Sequence, residues 1–113
     1  MIEQIHPCDL AAWLEKMKAH GQAVVLDVRE PREVQTSSIR PGGFKLVHIP
    51  MGVIPPRLNE LDPALPVACL CHHGARSMRV AAYLENQGFA HVANITGGIN
   101  AWSSQIDPSV PIY

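Results

Sequence analysis

Short apolar runs recur along the chain and predict the strands of a sheet. Ala23–Leu26 and Val67–Leu70 are apolar throughout, with no alternation of polar and apolar positions. This pattern is typical of strands that are buried on both faces of a parallel sheet. Further strands are predicted at Glu3–Ile5, around Leu46 to Ile49 and at His91–Ile95.

The segments between these runs favour helices. From Pro7 to about Lys18, apolar residues recur at three- and four-residue spacing, so one face of this segment is predicted to pack inward. Residues Ala75–Gln87 favour a helix that ends at Gly88, and shorter helices are predicted at Pro31–Gln35 and from Pro55 to about Leu61. Helices that alternate with short apolar strands predict an α/β fold with right-handed crossovers.

Length and composition narrow the class of protein. At 113 residues the chain is predicted to form one domain, residues 1–113, of ordinary globular composition. A net charge of −1 gives no reason to expect a nucleic acid or an anionic membrane as partner. No apolar run approaches the length of a membrane span, and Met1 begins no signal-peptide pattern. Three cysteines, an odd number without a secretory signal, predict free thiols and a cytoplasmic location.

Cys71 is the leading candidate for chemistry. It follows the apolar run Val67–Leu70 and precedes the helix that is predicted to begin at Ala75. Open α/β sheets bind their ligands at the carboxyl ends of the strands. A loop above a helix N-terminus also points backbone N–H groups inward, where they favour an anion. The thiol of Cys71 is therefore predicted to ionise readily.

The charges of the following helix point in the same direction. Arg76 and Arg79 lie in its first turn, where cations are unfavourable, and its acidic residue, Glu85, lies near the far end. A Cys71 thiolate or a bound anion would balance these cations. Alternatively, the arginines reach solvent or pair with acids elsewhere in the fold.

This region resembles the active loop of the rhodanese family, the persulfide-forming sulfurtransferases. The family pattern is a cysteine that closes a strand, a short loop that ends near Gly-x-Arg-Ser, and a helix. Asp27–Pro31 and Gly97–Trp102 also match family signatures, so the resemblance covers nearly the whole chain, whereas Thr36–Val47 departs from it and predicts a longer, glycine-bearing loop. The predicted active loop consists of Cys71, His72, His73, Gly74, Ala75, Arg76 and Ser77.

The resemblance implies a three-layer α/β fold. Its five parallel strands are expected in the order first, fifth, fourth, second, third, with helices on both faces of the sheet. The resemblance also implies a double displacement without a cofactor. Cys71 would take a sulfur atom from a small anionic donor such as thiosulfate and pass it to cyanide or to a thiol, free or on an acceptor protein.

Supporting roles follow from the same resemblance. Asp27 and Arg29, charged residues at the end of a buried strand, are expected to brace the neighbouring loops instead of reacting, since buried charges need partners. Arg76 is expected either to steer the anionic donor or to brace the loop.

Two other functions stay open. The first is a binding module of the same fold without catalysis, although such modules often lack the cysteine. The second is a small cysteine phosphatase or arsenate reductase. Four residues separate Cys71 from Arg76, whereas phosphatases of this fold have five, because a phosphoryl group is larger than one sulfur atom. The shorter loop favours sulfur transfer.

The neighbouring cysteines and histidines also suggest zinc. Cys69, Cys71, His72 and His73 are all residue types that bind this metal, but no second pair of ligands follows at a suitable spacing. No metal site is therefore predicted. Cys69 is expected in the core, and Cys8 is expected to have no catalytic role.

The two histidines of the loop could activate the cysteine, as in a Cys–His pair. In a tight loop whose N–H groups converge on Cys71, however, side chains should point outward. His72 and His73 are therefore expected at the mouth of the site, where they would select substrates while backbone amides stabilise the thiolate.

Overall fold

The computed structural model describes residues 2–113, which form a sheet of five parallel strands. The strand order is β1-β5-β4-β2-β3, as the resemblance implied, and each neighbouring pair runs parallel. The strands are β1 (Glu3–Ile5), β2 (Val24–Asp27), β3 (Lys45–His48), β4 (Val67–Leu70) and β5 (Val92–Ile95).

Helices connect successive strands, as the alternating pattern predicted. The segment that follows Pro7 begins with a 3-10 turn, Pro7–Asp9, and becomes α-helical only at Leu10. None of the helices within residues 2–113 is long and apolar enough to cross a membrane. The α-helices are α1 (Leu10–Met17), α2 (Pro31–Thr36), α3 (Ile54–Arg57), α4 (Ala75–Asn86) and α5 (Gly98–Gln105). Further 3-10 turns are Lys18–His20, Met51–Val53 and Leu58–Glu60.

Both faces of the sheet are buried, which explains why β2 and β4 show no alternation. Val25 and Ala68 pack in one apolar cluster with residues of α1 and α5, including Trp102. Leu26 and Cys69 pack in a second cluster with residues of α3 and α4. These clusters give the three layers of the fold. Cys71 belongs to the second cluster, so it lies on the α4 side of the sheet.

The segment between Thr36 and Val47, which departs from the family pattern, is a loop that is fixed to the core. Residues 37–44 join α2 to β3, and a left-handed turn occurs at Gly43, with φ of 79°. Ile39 and Phe44 are both buried in the core, and the Phe44 ring meets the Trp102 ring edge-on. The sequence predicted the loop but not these two core contacts.

Candidate active site

Cys71 is the first residue after β4, at the carboxyl edge of the sheet. Its side chain is almost fully buried, with 1% of the residue exposed. The backbone N–H of Gly74 donates a hydrogen bond to the Cys71 sulfur, with an N···S distance of 3.0 Å. Gly74 immediately precedes α4, so the sulfur lies at the positive end of this helix. One backbone N–H donor and the start of a helix therefore meet at the sulfur.

The contact between the Gly74 N–H group and the sulfur requires glycine at this position. Its φ of 109° lies in the left-handed region, where side chains are strained. A Cβ atom at this position would also lie 3.2 Å from the backbone nitrogen of Gly97. The turn that aims the N–H group at the sulfur therefore depends on glycine.

A second possible donor to the sulfur is the hydroxyl group of Ser77. Ser77 is fully buried, with its Oγ 3.3 Å from Cys71 Sγ and 2.6 Å from Asn94 Oδ1. Asn94 Nδ2 donates to Gly74 O and to Gln4 Oε1, which directs Asn94 Oδ1 toward the serine. Because a hydroxyl group has one proton, Ser77 can donate to one of three acceptors at a time: Asn94 Oδ1, the sulfur, or the carbonyl oxygen of Gly74 at 3.2 Å. The sequence named Ser77 but missed Asn94, a polar residue within the otherwise apolar strand β5.

The first residues of α5 form hydrogen bonds with the backbone of the active loop. The N–H groups of Ile99 and Asn100 donate to the carbonyl oxygens of Cys71 and His72, at 2.8 and 3.2 Å. A Cβ atom at Gly98 would lie 2.4 Å from each of those two oxygens. The Gly97–Trp102 signature thus reflects the close approach of two backbone segments.

Asp27 and Arg29 form a buried ion pair at the end of β2. Arg29 Nη2 lies 2.7 Å from Asp27 Oδ2, and Arg29 Nε donates to Asp27 Oδ1 at 2.9 Å. Arg29 is 0% exposed. The two-pronged geometry gives each buried charge a partner.

Arg76 forms a two-pronged ion pair with Glu33 of α2. Both N···O distances are 2.8 Å. The hydrogen bonds from Arg76 lower the pKa of Glu33 to about 2. Of the alternatives for Arg76, pairing with an acid elsewhere is the one that the structure contains. Arg79, in the same turn of α4, is exposed.

The two loop histidines occupy different environments. His73 is exposed, whereas the His72 ring is stacked between His73 and Tyr113, with centroid distances of 3.8 and 3.9 Å. Burial lowers the pKa of His72, and its buried Nε2 has no hydrogen-bond partner within residues 2–113. The expectation that both side chains point outward thus holds only in part for His72, whose ring is half-buried between two neighbouring rings. Nothing in the sequence suggested that Tyr113 would cover it.

The other cysteines lie apart from this chemistry. Cys69 is fully buried, and burial raises the pKa of its thiol. Cys8 is exposed and lines a separate cavity beside α1 and α5. Within residues 2–113, no cluster of three or more histidine, cysteine or acidic side chains is arranged to bind a metal ion.

Comparison with known proteins gives a consistent match. Residues 10–105 match the family model of the rhodanese-like domain. "Putative sulfurtransferase YtwF" of Bacillus subtilis is 38% identical over 105 residues, which cover 93% of this chain and 97% of that protein.

Two further proteins are similar over much of the chain. A rhodanese-like domain protein of Staphylococcus aureus has a crystal structure that superposes with a TM-score of 0.75, at 28% identity and 99% coverage of both chains. The chloroplastic rhodanese-like/PpiC domain-containing protein 12 of Arabidopsis thaliana is 44% identical over 94 residues, or 81% of this chain. The match spans 31% of the length of that larger protein.

Proposed function

The chain belongs to the rhodanese-like family, and from this premise we propose that it is a sulfurtransferase that carries sulfur as a persulfide on Cys71. The observation that carries the proposal is the position of the Cys71 sulfur, 3.0 Å from the Gly74 N–H group at the start of α4. Hydrogen bonds to charged groups contribute about 1.5–3 kcal/mol each. A thiolate, or the terminal sulfur of a persulfide, would gain this stabilisation in the loop.

The first half-reaction loads sulfur onto the protein. The Cys71 thiolate attacks the outer sulfur of a donor such as thiosulfate, and a new S–S bond forms. The bond between the two donor sulfurs breaks, and sulfite leaves with its electron pair. Thiosulfate and thiolate thus become sulfite and a persulfide anion, so atoms and charge balance.

The second half-reaction unloads the sulfur. A nucleophilic acceptor, either cyanide or a thiolate, attacks the terminal sulfur of the persulfide. The S–S bond to Cys71 breaks, and the Cys71 thiolate is regenerated. The products are thiocyanate or the persulfide of the acceptor. Neither of the other two cysteines serves as the acceptor, because Cys69 is buried in the core and Cys8 lines a separate cavity.

Loop size supports a sulfur atom as the transferred group. Four residues separate Cys71 from Arg76, and the loop closes tightly enough that Gly74 contacts the sulfur directly. A single additional sulfur atom requires less space than a tetrahedral phosphoryl group.

The surrounding charges brace this loop in the proposed mechanism. The Asp27–Arg29 pair stabilises the end of β2, and Glu33 fixes Arg76 at the start of α4. Because both terminal nitrogens of the Arg76 guanidinium group already bind Glu33, the contribution of Arg76 is to position the loop and to add positive potential. His73, exposed at the loop, is available to contact donors or acceptors.

Mass spectrometry of the intact protein tests the proposal. After incubation with thiosulfate and removal of the excess, we expect an adduct of about 32 Da, one sulfur atom, on Cys71. Subsequent cyanide should remove the adduct and release thiocyanate. Cys71→Ser should form no adduct, whereas Cys8→Ser and Cys69→Ala should form it as the wild type does.

The same experiment separates this function from its alternatives. A folded wild-type protein that forms no adduct with thiosulfate or with an organic persulfide would indicate a binding module. Turnover of p-nitrophenyl phosphate comparable to sulfur transfer would indicate a phosphatase.

A further inference from the structure

The side chain of Tyr113 contacts His72 of the active loop directly and reaches Arg76 through Glu33. Its ring lies parallel to the imidazole of His72, with the ring planes 5° apart. Its hydroxyl group donates to Glu33 Oε1 at 2.9 Å and accepts from Arg29 Nη1 at 3.1 Å. Glu33 in turn pairs with Arg76. One side chain thus connects the residue after Cys71, the partner of Arg76 and the buried ion pair of β2.

The segment that carries Tyr113 is itself anchored. Val110 is buried in the core, and Ser103 Oγ donates to its carbonyl oxygen at 2.7 Å. Ser37 Oγ donates to the carbonyl oxygen of Pro111 at 2.6 Å. These contacts tie the segment to α5 and to the end of α2, so the position of the Tyr113 ring is set by the fold.

We propose that Tyr113 is a positioning residue for the active loop. Its ring fixes the imidazole of His72, and its hydroxyl group orients the carboxylate of Glu33 that binds Arg76. Loop geometry between His72 and Arg76 decides whether the Gly74 N–H group points at the Cys71 sulfur. The inference rests on the proposed function of Cys71, because it assigns Tyr113 a role in that reaction.

His72 provides a readout that does not depend on activity. Burial is the main cause that lowers its pKa, and the charges of His73 and Arg76 act in the same direction. A hydrogen bond with the Tyr113 backbone and the charge of Glu33 act in the opposite direction. Loss of the Tyr113 ring would expose the imidazole to water and move the pKa of His72 up toward its ordinary value.

The experiment compares three variants of the full chain. Tyr113→Leu keeps apolar bulk but removes both the planar ring and the hydroxyl group. Tyr113→Phe keeps the ring and removes only the hydroxyl group. Ile112→Ala is the matched control, since Ile112 is the neighbouring residue and is 67% exposed. Thermal unfolding and circular dichroism establish that each variant is folded.

The kinetic readout is the single-turnover rate of persulfide formation with thiosulfate. We expect Tyr113→Leu to lower this rate about tenfold, because misplacement of a reacting group by a fraction of an ångström is costly. The effect should fall on the maximal single-turnover rate constant more than on the thiosulfate concentration that gives half of it, because the variant disturbs alignment of the attacking sulfur. Tyr113→Phe should stay within about threefold of the wild type, and Ile112→Ala should be unchanged.

The spectroscopic readout is the NMR titration of the His72 imidazole, assigned with a His72→Ala spectrum. We expect a higher midpoint in Tyr113→Leu and a wild-type midpoint in Tyr113→Phe and Ile112→Ala. A folded Tyr113→Leu protein with unchanged rate and unchanged titration would overturn the inference. A faster reaction in that variant would also overturn it, because Tyr113 would then obstruct the site. If the wild type forms no persulfide, the proposed function is wrong. A His72 titration midpoint that still rises in Tyr113→Leu and stays unchanged in Tyr113→Phe would then support the positioning of the loop by Tyr113 independently of that function.

Discussion

Arg76 and Glu33 meet in a two-pronged ion pair, with both N···O distances at 2.8 Å. The two residues are 43 positions apart in the chain, so the pair joins α2 to the start of α4. The carboxylate of Glu33 offsets the unfavourable position of a cation at a helix start, and the pair connects two elements of the site.

The first prediction concerns the pH dependence of this pair. The pKa of Glu33 is lowered to about 2, below its unfolded value, so the pair stabilises the folded protein above the unfolded pKa of about 4.5. This stabilisation is lost as the pH falls from there through about 2. We expect Glu33→Gln to lower the unfolding free energy by roughly 1–2 kcal/mol at pH 7 after allowance for solvent screening.

Urea unfolding of both proteins between pH 7 and pH 2.5 checks this prediction. The difference between wild type and Glu33→Gln should be constant down to about pH 5 and should shrink below it. Glu60→Gln is the control, because Glu60 forms an exposed pair with Arg57. A difference that is equal at pH 3 and pH 7 would exclude an ionised Glu33 as its source.

The second prediction concerns Gly98. Its φ is 59°, and an added Cβ would lie 2.4 Å from the carbonyl oxygens of Cys71 and His72. We expect Gly98→Ala to lower the unfolding free energy by about 2–4 kcal/mol, since backbone atoms on both sides must shift. The same shift would displace Cys71 and reduce sulfur transfer more than tenfold.

Gly52→Ala is the matched control for this variant. No atom lies within 4 Å of a Cβ at Gly52 within residues 2–113, and its φ is not positive. The control should change stability by less than about 1 kcal/mol and leave sulfur transfer intact. Denaturant unfolding and a thiocyanate assay measure both effects. Wild-type activity in Gly98→Ala would show that the loop tolerates the displacement.

The sequence predicted the elements better than the contacts between them. The runs Ala23–Leu26 and Val67–Leu70 revealed their strands because burial on both faces removes polar positions from a strand. Cys71 could be proposed as the reactive residue from the sequence because its position at a strand end and its loop pattern are both local features. By contrast, Glu33 and Tyr113 look like ordinary polar residues in the sequence. Their contacts at the site are with partners that are 41 to 84 positions away, and no local pattern encodes such pairs.

Asn94 could have been predicted from the sequence as a neighbour of the active loop. It interrupts the apolar strand Val92–Ile95, and it is 4% exposed. A polar side chain buried in a strand needs a hydrogen-bond partner, and β5 was expected beside β4, whose carboxyl end carries Cys71. These two facts would have directed attention to Asn94 as a neighbour of the loop.

The third prediction follows from the Asn94 contact. Ser77→Ala removes a possible donor to the Cys71 sulfur and leaves Asn94 Oδ1 without its partner. An unsatisfied buried acceptor costs about 1–3 kcal/mol, so the unfolding free energy should fall by that amount. Persulfide formation should slow several-fold. Ser104→Ala, at an exposed serine of α5, should change neither quantity. Stopped-flow measurement of sulfite release would reveal a wild-type rate if Ser77 served packing alone.

The last prediction separates the backbone from the imidazoles as the source of thiolate stabilisation. The contacts to the Cys71 sulfur come from the Gly74 N–H group and the Ser77 hydroxyl group. His72 is instead stacked between His73 and Tyr113. A Cys–His pair would require a nitrogen of an imidazole at the sulfur.

Replacement of both histidines by alanine should therefore leave the pH dependence of Cys71 alkylation nearly unchanged. We expect the midpoint of its alkylation by iodoacetamide against pH to move by less than about one pH unit, equivalent to roughly 1.4 kcal/mol. The efficiency with thiosulfate should fall, because imidazole groups that can donate hydrogen bonds to an anionic donor are lost from the loop. His73→Ala alone should reproduce only part of that loss, because the double variant also removes the His72 ring on which Tyr113 stacks. His20→Ala and His91→Ala, in a stacked pair outside the loop, serve as controls. A shift of the alkylation midpoint by two units or more in the double variant would establish an imidazole as the activating group and would assign the thiolate to a Cys–His pair.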